Sequence, residues 1–303
     1  MQSIYAMHQS GSDNMEKEEK FLFYSIDNIL DLYLIMVSSL IEICKKETIF
    51  LHLSSQKHLA TPQERKPNEK FIKNSIFQIL AENNSLNIAL ETRKIDNWTL
   101  NDDYIILLLN AVKESKVYAD YMSNSVNQFE EDRQFIVDLF TEVVVPNEKL
   151  YEYLEDNKLT WIDDIPVVNT HIIKQLKAIK SGENDNFRVP KLYKDNEDKD
   201  FVKDLFRKTV LNERELAKEY DDKTPNWDSE RIAEIDTIIL KMAICEFLKF
   251  PSIPVKVTLN EYLEVAKEYS TPKSSIFING ILDNLVKELE ANKKMIKAGR
   301  GLM

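Results

Sequence analysis

The chain has 303 residues, of which 43% are hydrophobic and 30% charged, and its formal net charge is −11. Only five glycines and nine prolines are present, which favours an all-α protein over a β-sheet protein. The two cysteines, Cys44 and Cys245, form no CxxC motif and no even framework, so a disulfide-rich secreted protein is disfavoured and a reduced, cytoplasmic protein is expected.

The N-terminal part of the sequence predicts two helices separated by a turn. Residues 1–8 have a helical pattern, and the polar run 9–14 (QSGSDN) is typical of a turn. A long helix is predicted from Glu16 to Lys46, because apolar residues recur there every three or four positions. Charged residues such as Asp31 interrupt its apolar stretch, so we expect no membrane span.

The middle of the chain predicts further helices joined by polar loops. Pro146 is expected to split or kink one of them, because proline lacks the N–H that a helix interior needs. The predicted helices span residues 71–90, 103–121, 132–154 and 165–179, and the loops span residues 61–67 and 181–200.

An internal repeat organises this middle region. When Phe135 is aligned with Phe201, 66 residues later, Trp161 falls on Trp227 and several apolar residues between them also match. A fainter copy extends from Phe71 to Trp98. The pattern predicts a duplicated helical unit in which each tryptophan covers an apolar seam; chance similarity between helical sequences is the alternative.

Three helices are predicted at the C-terminal end, over residues 229–250, over residues 255–269, and from a cap at Ser270 or Thr271 onwards. The first carries apolar residues around much of its circumference, so it is expected to be central. The segment from Trp227 onwards has equal numbers of basic and acidic residues, so the net negative charge lies in the preceding part.

Several motifs in this C-terminal region resemble the NusB family of transcription antitermination factors. They are DTIILKMAICEF from Asp236, PVKVTLNEY from Pro254, Ala266–Lys267, and FINGILD from Phe277, at the spacing of the family. The resemblance is specific there and weaker at residues 1–45 and 200–210. It implies an all-α, NusB-like helical bundle, enlarged by an inserted, possibly duplicated helical unit.

The resemblance divides the chain into three parts. Residues 1–46 correspond to the N-terminal helices of the NusB-like core, 47–199 to the inserted helical region, and 200–303 to the C-terminal NusB-like domain. Family members usually begin with a short Arg-rich segment that contacts RNA, and the first helix here begins without it. We therefore expect a start truncated relative to the family.

The resemblance implies binding of boxA-type RNA together with NusE, a small-subunit ribosomal protein, within the RNA polymerase antitermination complex. This would support read-through of ribosomal RNA operons. Aromatic side chains can stack on unpaired bases and lysines can neutralise phosphates. A core phenylalanine and a solvated lysine are the alternatives for Phe277 and Lys273. The RNA-binding residues that the resemblance implies are Gln2, Lys241, Tyr269, Lys273 and Phe277.

For the ribosomal protein, the resemblance implies Tyr5 and Asp236. The carboxylate of Asp236 is expected to face outward, where it could meet a basic partner or simply be solvated. Polar and flexible residues elsewhere in the motifs are interpreted as structural. Asn260 is expected on a core-facing stripe, and Gly280 is expected to permit a close helix approach. The residues assigned to architecture are Asn260, Glu261, Asn279 and Gly280.

No pattern in the sequence indicates catalysis, a cofactor or a metal. The four histidines lack zinc-like spacing, and neither GxxxxGK[ST] nor GxGxxG is present. A non-enzymatic protein is therefore predicted. Two alternatives stay open: an RNA-binding module related to the N-terminal domain of ribosomal RNA methyltransferases, and a helical protein–protein scaffold that binds no RNA.

Overall fold

The structure is a computed structural model that describes residues 1–126, 128–182, 187–221 and 233–298. The described residues form sixteen α-helices and no β-strand, which confirms the all-α prediction. The helices up to residue 122 are α1 (Gln2–Ser10), α2 (Met15–Ser55), α3 (Pro62–Arg65), α4 (Ser75–Glu82), α5 (Asn84–Arg93), α6 (Asn97–Leu100), α7 (Asp102–Glu114) and α8 (Lys116–Met122). They are followed by α9 (Phe129–Leu139), α10 (Glu148–Asn157), α11 (Ile165–Ala178), α12 (Asn196–Leu211), α13 (Glu213–Asp221), α14 (Glu234–Lys249), α15 (Val255–Tyr269) and α16 (Pro272–Ala291).

The chain forms two compact units. Unit 1 contains residues 1–23 and 193–303, and unit 2 contains residues 24–192. Helix α2 contributes its first residues to unit 1 and the rest to unit 2. The predicted boundaries at residues 46 and 199 mark the ends of an inserted region and not the ends of a compact unit. They stay a prediction.

Unit 2 packs its helices around the middle of α2. From Leu32 to Ile41 every side chain of that helix is buried, including the hydroxyl-bearing Ser38 and Ser39. Each serine donates its hydroxyl to a carbonyl one turn earlier, at 3.0 and 2.7 Å, so burial leaves neither hydroxyl unpaired. A helix that is enclosed on all sides in this way serves as the central axis of its unit.

Two tryptophans attach to this axis in the same manner. The indole N–H of Trp98 donates to the carbonyl of Ile35 at 3.0 Å, and that of Trp161 donates to the carbonyl of Asn28 at 2.8 Å. Both rings are buried. The two acceptors are seven residues apart, which is about two turns of an α-helix. The tryptophans therefore dock equivalent segments at consecutive positions along α2.

The helices around these tryptophans support the predicted repeat. Each tryptophan follows two helices and precedes a third. Trp98 lies after α4 and α5 and before α7, and Trp161 lies after α9 and α10 and before α11. Helices α12, α13 and α14 follow in the same order in unit 1, but the matching Trp227 lies outside the described residues.

Unit 1 has a core in which α14 is central, as predicted. Helix α14 packs against α1, α12, α13, α15 and α16. Its buried residues Ile239, Ala243 and Phe247 contribute to one apolar cluster, while Ile238 meets Ile4 of α1 in another. The bounds predicted for α15 match those observed, and Thr271 caps α16 by accepting from the backbone N–H of Ser274, with Pro272 in the first turn.

Other predicted elements differ in detail. The predicted loop 61–67 contains α3, whose cap is reciprocal: Thr61 accepts from the N–H of Glu64, and the Glu64 carboxylate accepts from the N–H of Thr61. The predicted helix 71–90 is divided at the cap Asn83, and 103–121 is divided at the cap Ser115. Pro146 separates a π-helical turn, Phe140–Val144, from α10, so the predicted split is confirmed.

Candidate functional site

Five polar side chains meet where α1 ends and where α13 and α14 begin. His8 Nε2 lies 2.7 Å from an oxygen of Glu213, and His8 Nδ1 lies 3.0 Å from an oxygen of Glu234. Lys241 Nζ donates to the other Glu213 oxygen at 2.9 Å, and Gln9 donates to the other Glu234 oxygen at 2.5 Å. We call these five residues the charge cluster.

The helix ends explain the distribution of charge in this cluster. Glu213 and Glu234 are the first residues of α13 and α14, where the partial positive charge of a helix N-terminus favours a carboxylate. His8 lies in the last turn of α1, where the partial negative charge favours a cation. His8, Glu213 and Glu234 therefore each lie at the helix end that suits their charged form.

Glu213 is the centre of the cluster. Burial alone would raise the pKa of its carboxyl group, but the hydrogen bonds from Lys241 and His8 outweigh burial, so the pKa lies below its ordinary value. The carboxylate therefore stays ionised near neutral pH, with Lys241 on one oxygen and the His8 ring on the other. The predicted RNA-binding residue Lys241 is thus engaged with a carboxylate in this structure.

A second contact ties the junction between α15 and α16 to the start of α14. Asp236 accepts a hydrogen bond of 2.5 Å from the hydroxyl of Ser270, the residue at the C-terminal end of α15. Asp236 is only 3% exposed. The expectation that it faces outward towards a partner is therefore wrong, since its carboxylate is used to fix the helix junction.

The remaining predicted binding residues lie on α1 and near that junction. Gln2 is exposed on α1, and Tyr5 is half-buried on the same helix. Tyr269 is half-buried at the end of α15, while Lys273 is exposed in the first turn of α16. Phe277 is half-buried and packs against the core of unit 1. The packing of α1 and of the α15–α16 junction on α14 places these helices on a common framework.

Three of the four residues assigned to architecture are exposed. Asn260 and Glu261 are exposed on α15, so Asn260 is not on a core-facing stripe. Gly280 is exposed on α16, and a Cβ added there would meet nothing within 4 Å. The prediction that Gly280 permits a close helix approach is therefore wrong. Asn279 is half-buried.

The polar residues that do join α14 to α15 were not identified from the sequence. Glu246 is 5% exposed and accepts from the hydroxyl of Thr258 at 2.6 Å and from that of Tyr262 at 3.2 Å. Burial and the Glu246 carboxylate raise the pKa of Tyr262 well above its ordinary value, so the phenol remains a donor. Glu246 stands one position before an apolar residue of the motif, so periodicity alone does not reveal its burial.

The described part of the chain holds neither a metal-binding cluster nor a membrane span. No group of three or more His, Cys, Asp or Glu residues there could hold a metal ion. No helix among those residues is both long and apolar enough to cross a membrane.

Known proteins resemble this chain most clearly over its C-terminal half. A sequence model of the NusB family matches residues 168–287. Transcription antitermination protein NusB of Salinibacter ruber is 41% identical over 116 residues, which cover 38% of this chain and 72% of that protein. The chain belongs to the NusB family.

Two other NusB proteins are similar to a comparable extent. Transcription antitermination protein NusB of Chloroherpeton thalassium is 38% identical over 105 residues, covering 35% of this chain and 50% of that protein. Transcription antitermination protein NusB of Koribacter versatilis is 39% identical over 100 residues, covering 33% of this chain and 68% of that protein. No solved structure matches the chain. The NusB family consists of transcription antitermination factors, so membership of it bears out the prediction of a non-enzymatic protein.

Proposed function

We propose that this chain is a transcription antitermination factor that binds boxA-type RNA together with the ribosomal protein NusE. In this proposal it acts within the RNA polymerase antitermination complex and supports read-through of ribosomal RNA operons. Membership of the NusB family and the printed names of its relatives support the role in antitermination. A cytoplasmic location is part of the proposal, and the free cysteines Cys44 and Cys245 agree with it.

The observation that carries the RNA-binding part is the exposed start of α16 beside the end of α15. Lys273 is exposed in the first turn of α16, where no nearby carboxylate forms an ion pair with it among the described residues. A helix N-terminus also offers backbone N–H groups to an anion. Tyr269 and Phe277 flank Lys273 in the sequence and are half-buried, and aromatic side chains of this kind can stack on bases.

The protein-binding part of the proposal involves α1 and the carboxylates beside it. Tyr5 is half-buried, and Glu234 has 37% of its side chain exposed next to the end of α1. Ribosomal proteins that bind RNA are basic, so a partly exposed carboxylate offers them charge complementarity. Because Asp236 is buried, we assign this role to Glu234 instead.

A binding assay with labelled boxA-type RNA and purified NusE tests the proposal. We expect Lys273→Ala to weaken RNA binding and to lower the slope of log affinity against log salt by about 0.7, since one phosphate contact on a single strand is lost. Lys287→Ala is a matched control, because Lys287 is an exposed lysine on the same helix and far along it from the α15–α16 junction. The control should bind as the unaltered chain does.

The absence of any RNA or NusE binding by the unaltered chain at low salt would contradict the proposal. Equal effects of both lysine substitutions would contradict the proposed position of the RNA.

A scaffold that binds no RNA is the second candidate, and one feature of unit 2 favours it there. A groove between α8 and α9 is lined by several carboxylates, which repel RNA and suit a basic protein. These residues are Asp120, Glu131, Asp138 and Glu142. Purification from cells with and without nuclease separates the candidates: a partner that survives nuclease with no RNA recovered favours the scaffold.

A further inference from the structure

The geometry around His8 suits a charged imidazole. Both ring nitrogens lie within hydrogen-bond distance of carboxylate oxygens, at 2.7 Å to Glu213 and 3.0 Å to Glu234. A neutral imidazole has one N–H and would point its other nitrogen's lone pair at a carboxylate oxygen, whereas an imidazolium donates to both. Only the imidazolium form can therefore donate a hydrogen bond to both carboxylates.

With His8 protonated, two cations face two carboxylates among the described residues of the cluster. Glu213 on α13 binds one cation on each oxygen, His8 from α1 and Lys241 from α14. Glu234 on α14 receives the second His8 N–H and the amide of Gln9. The loss of one cation from Glu213 therefore leaves the other in place.

This sharing decides how readily Lys241 can exchange its carboxylate for an RNA phosphate. Lys241 and Glu213 have only 15% and 22% of their side chains exposed, so a carboxylate left there without a cationic partner would be strongly disfavoured. When His8 is charged, Glu213 remains paired after Lys241 turns away. When His8 is neutral, Glu213 depends on Lys241, and the lysine is retained.

We propose that His8 is a positioning residue for RNA binding: its positive charge holds Glu213 and thereby releases Lys241 to contact a phosphate. The inference rests on the proposed RNA-binding role of Lys241. Histidine ordinarily changes its charge between about pH 5 and 8, whereas RNA phosphodiesters stay ionised throughout that range. RNA affinity should therefore be higher at the acidic end of the range and should decrease as His8 loses its proton.

The number of phosphate contacts is the readout that a merely structural role would not change. It follows from the slope of log affinity against log salt, which changes by about 0.7 per contact on single-stranded RNA. We would measure this slope at pH 6 and pH 8 with the full chain, a single-stranded boxA-type RNA and a constant concentration of NusE. The unaltered chain should show a slope steeper by about 0.7 at pH 6 than at pH 8.

Four variants make the test specific. His8→Gln removes the charge and should give the shallow slope at both pH values, whereas His8→Lys keeps a charge and should restore the steep slope at both. Lys241→Ala should give the shallow slope at both pH values, because the contact that His8 controls is gone. His52→Gln is the control, since His52 is exposed on α2, and it should retain the pH response of the unaltered chain.

Each failure has a distinct meaning. RNA binding by the unaltered chain with the same slope at both pH values overturns the inference about His8 but leaves the proposed function intact. A pH response that persists in Lys241→Ala also overturns it, and this variant serves if a His8 variant does not fold. No RNA binding at either pH overturns the proposed function, and the inference with it.

Discussion

Buried carboxylates in unit 1 hold helix junctions through hydroxyl donors. Asp236 accepts from Ser270, and Glu246 accepts from Thr258 and Tyr262. A buried carboxylate that loses a donor keeps the cost of its desolvation without the compensating bond. Individual hydroxyl groups therefore stabilise the bundle alongside its apolar residues.

Thr258→Val tests this role at nearly constant side-chain volume. Because the valine cannot donate to Glu246, we expect a loss of about 1.5–3 kcal/mol in the free energy of unfolding, measured by chemical denaturation. Thr237→Val is the matched control: among the described residues, the Thr237 hydroxyl donates to the carbonyl of Glu234, one turn away in α14. A loss as large in the control would show that the Glu246 carboxylate is not the cause.

Asp164 provides a pH-dependent prediction in unit 2. Burial, with a smaller contribution from Asp163, raises the pKa of Asp164 to about 6, above the ordinary value of 3.8. The folded state therefore binds a proton at Asp164 more tightly than the unfolded state does. The contribution of this group to stability is greatest below about pH 4 and decreases as the pH rises towards 6. Asp164→Asn should remove that decrease, which denaturation curves at pH 4 and 7 would reveal. An unchanged pH dependence in the variant would assign the effect to other groups.

At the scale of the element, glycines illustrate how position within a helix decides the effect of a side chain. Gly11 ends α1 with φ of 60°, a left-handed conformation that other residues adopt only with strain. Gly280 lies inside α16 with open space where a Cβ would be. Only the first glycine is required by the backbone.

These two positions should respond in opposite ways to alanine. Gly280→Ala should stabilise the chain by about 1 kcal/mol, because alanine loses less backbone entropy in a helix. Gly11→Ala should destabilise it by about 1–2 kcal/mol through left-handed strain. Thermal or chemical unfolding of both variants gives the signs directly, and a destabilising effect at Gly280 would indicate a contact partner on that exposed face.

At the scale of the whole molecule, local signals in the sequence predicted the helices well, and long-range contacts less well. The spacing of apolar residues predicted α15, and the Thr271–Pro272 pair predicted the start of α16. The Thr61–Glu64 capping box was present in the sequence but missed. Neither the burial of Asp236 nor the charge cluster could be predicted, because His8 meets a glutamate 226 residues away only after the bundle has assembled.

Trp98 and Trp161 allow a prediction about how cooperatively unit 2 opens. Replacing either tryptophan with Phe keeps an aromatic ring but removes the indole N–H that donates to a backbone carbonyl of α2. We expect hydrogen exchange to accelerate mainly in the helices next to the altered residue, α4 to α7 for Trp98→Phe and α9 to α11 for Trp161→Phe, because stacked helical segments contact chiefly their neighbours. Uniform acceleration across unit 2 in both variants would show that it opens as one cooperative body.

The regular spacing of the tryptophan acceptors along α2 also bears on how such a protein grows. The two docking positions are about two turns apart on α2, so a longer central helix would offer room for more segments. A gene duplication adds a segment, but the new copy gains a docking position only if the central helix is long enough to offer one. The length of α2 would then limit how many such segments a related protein can contain.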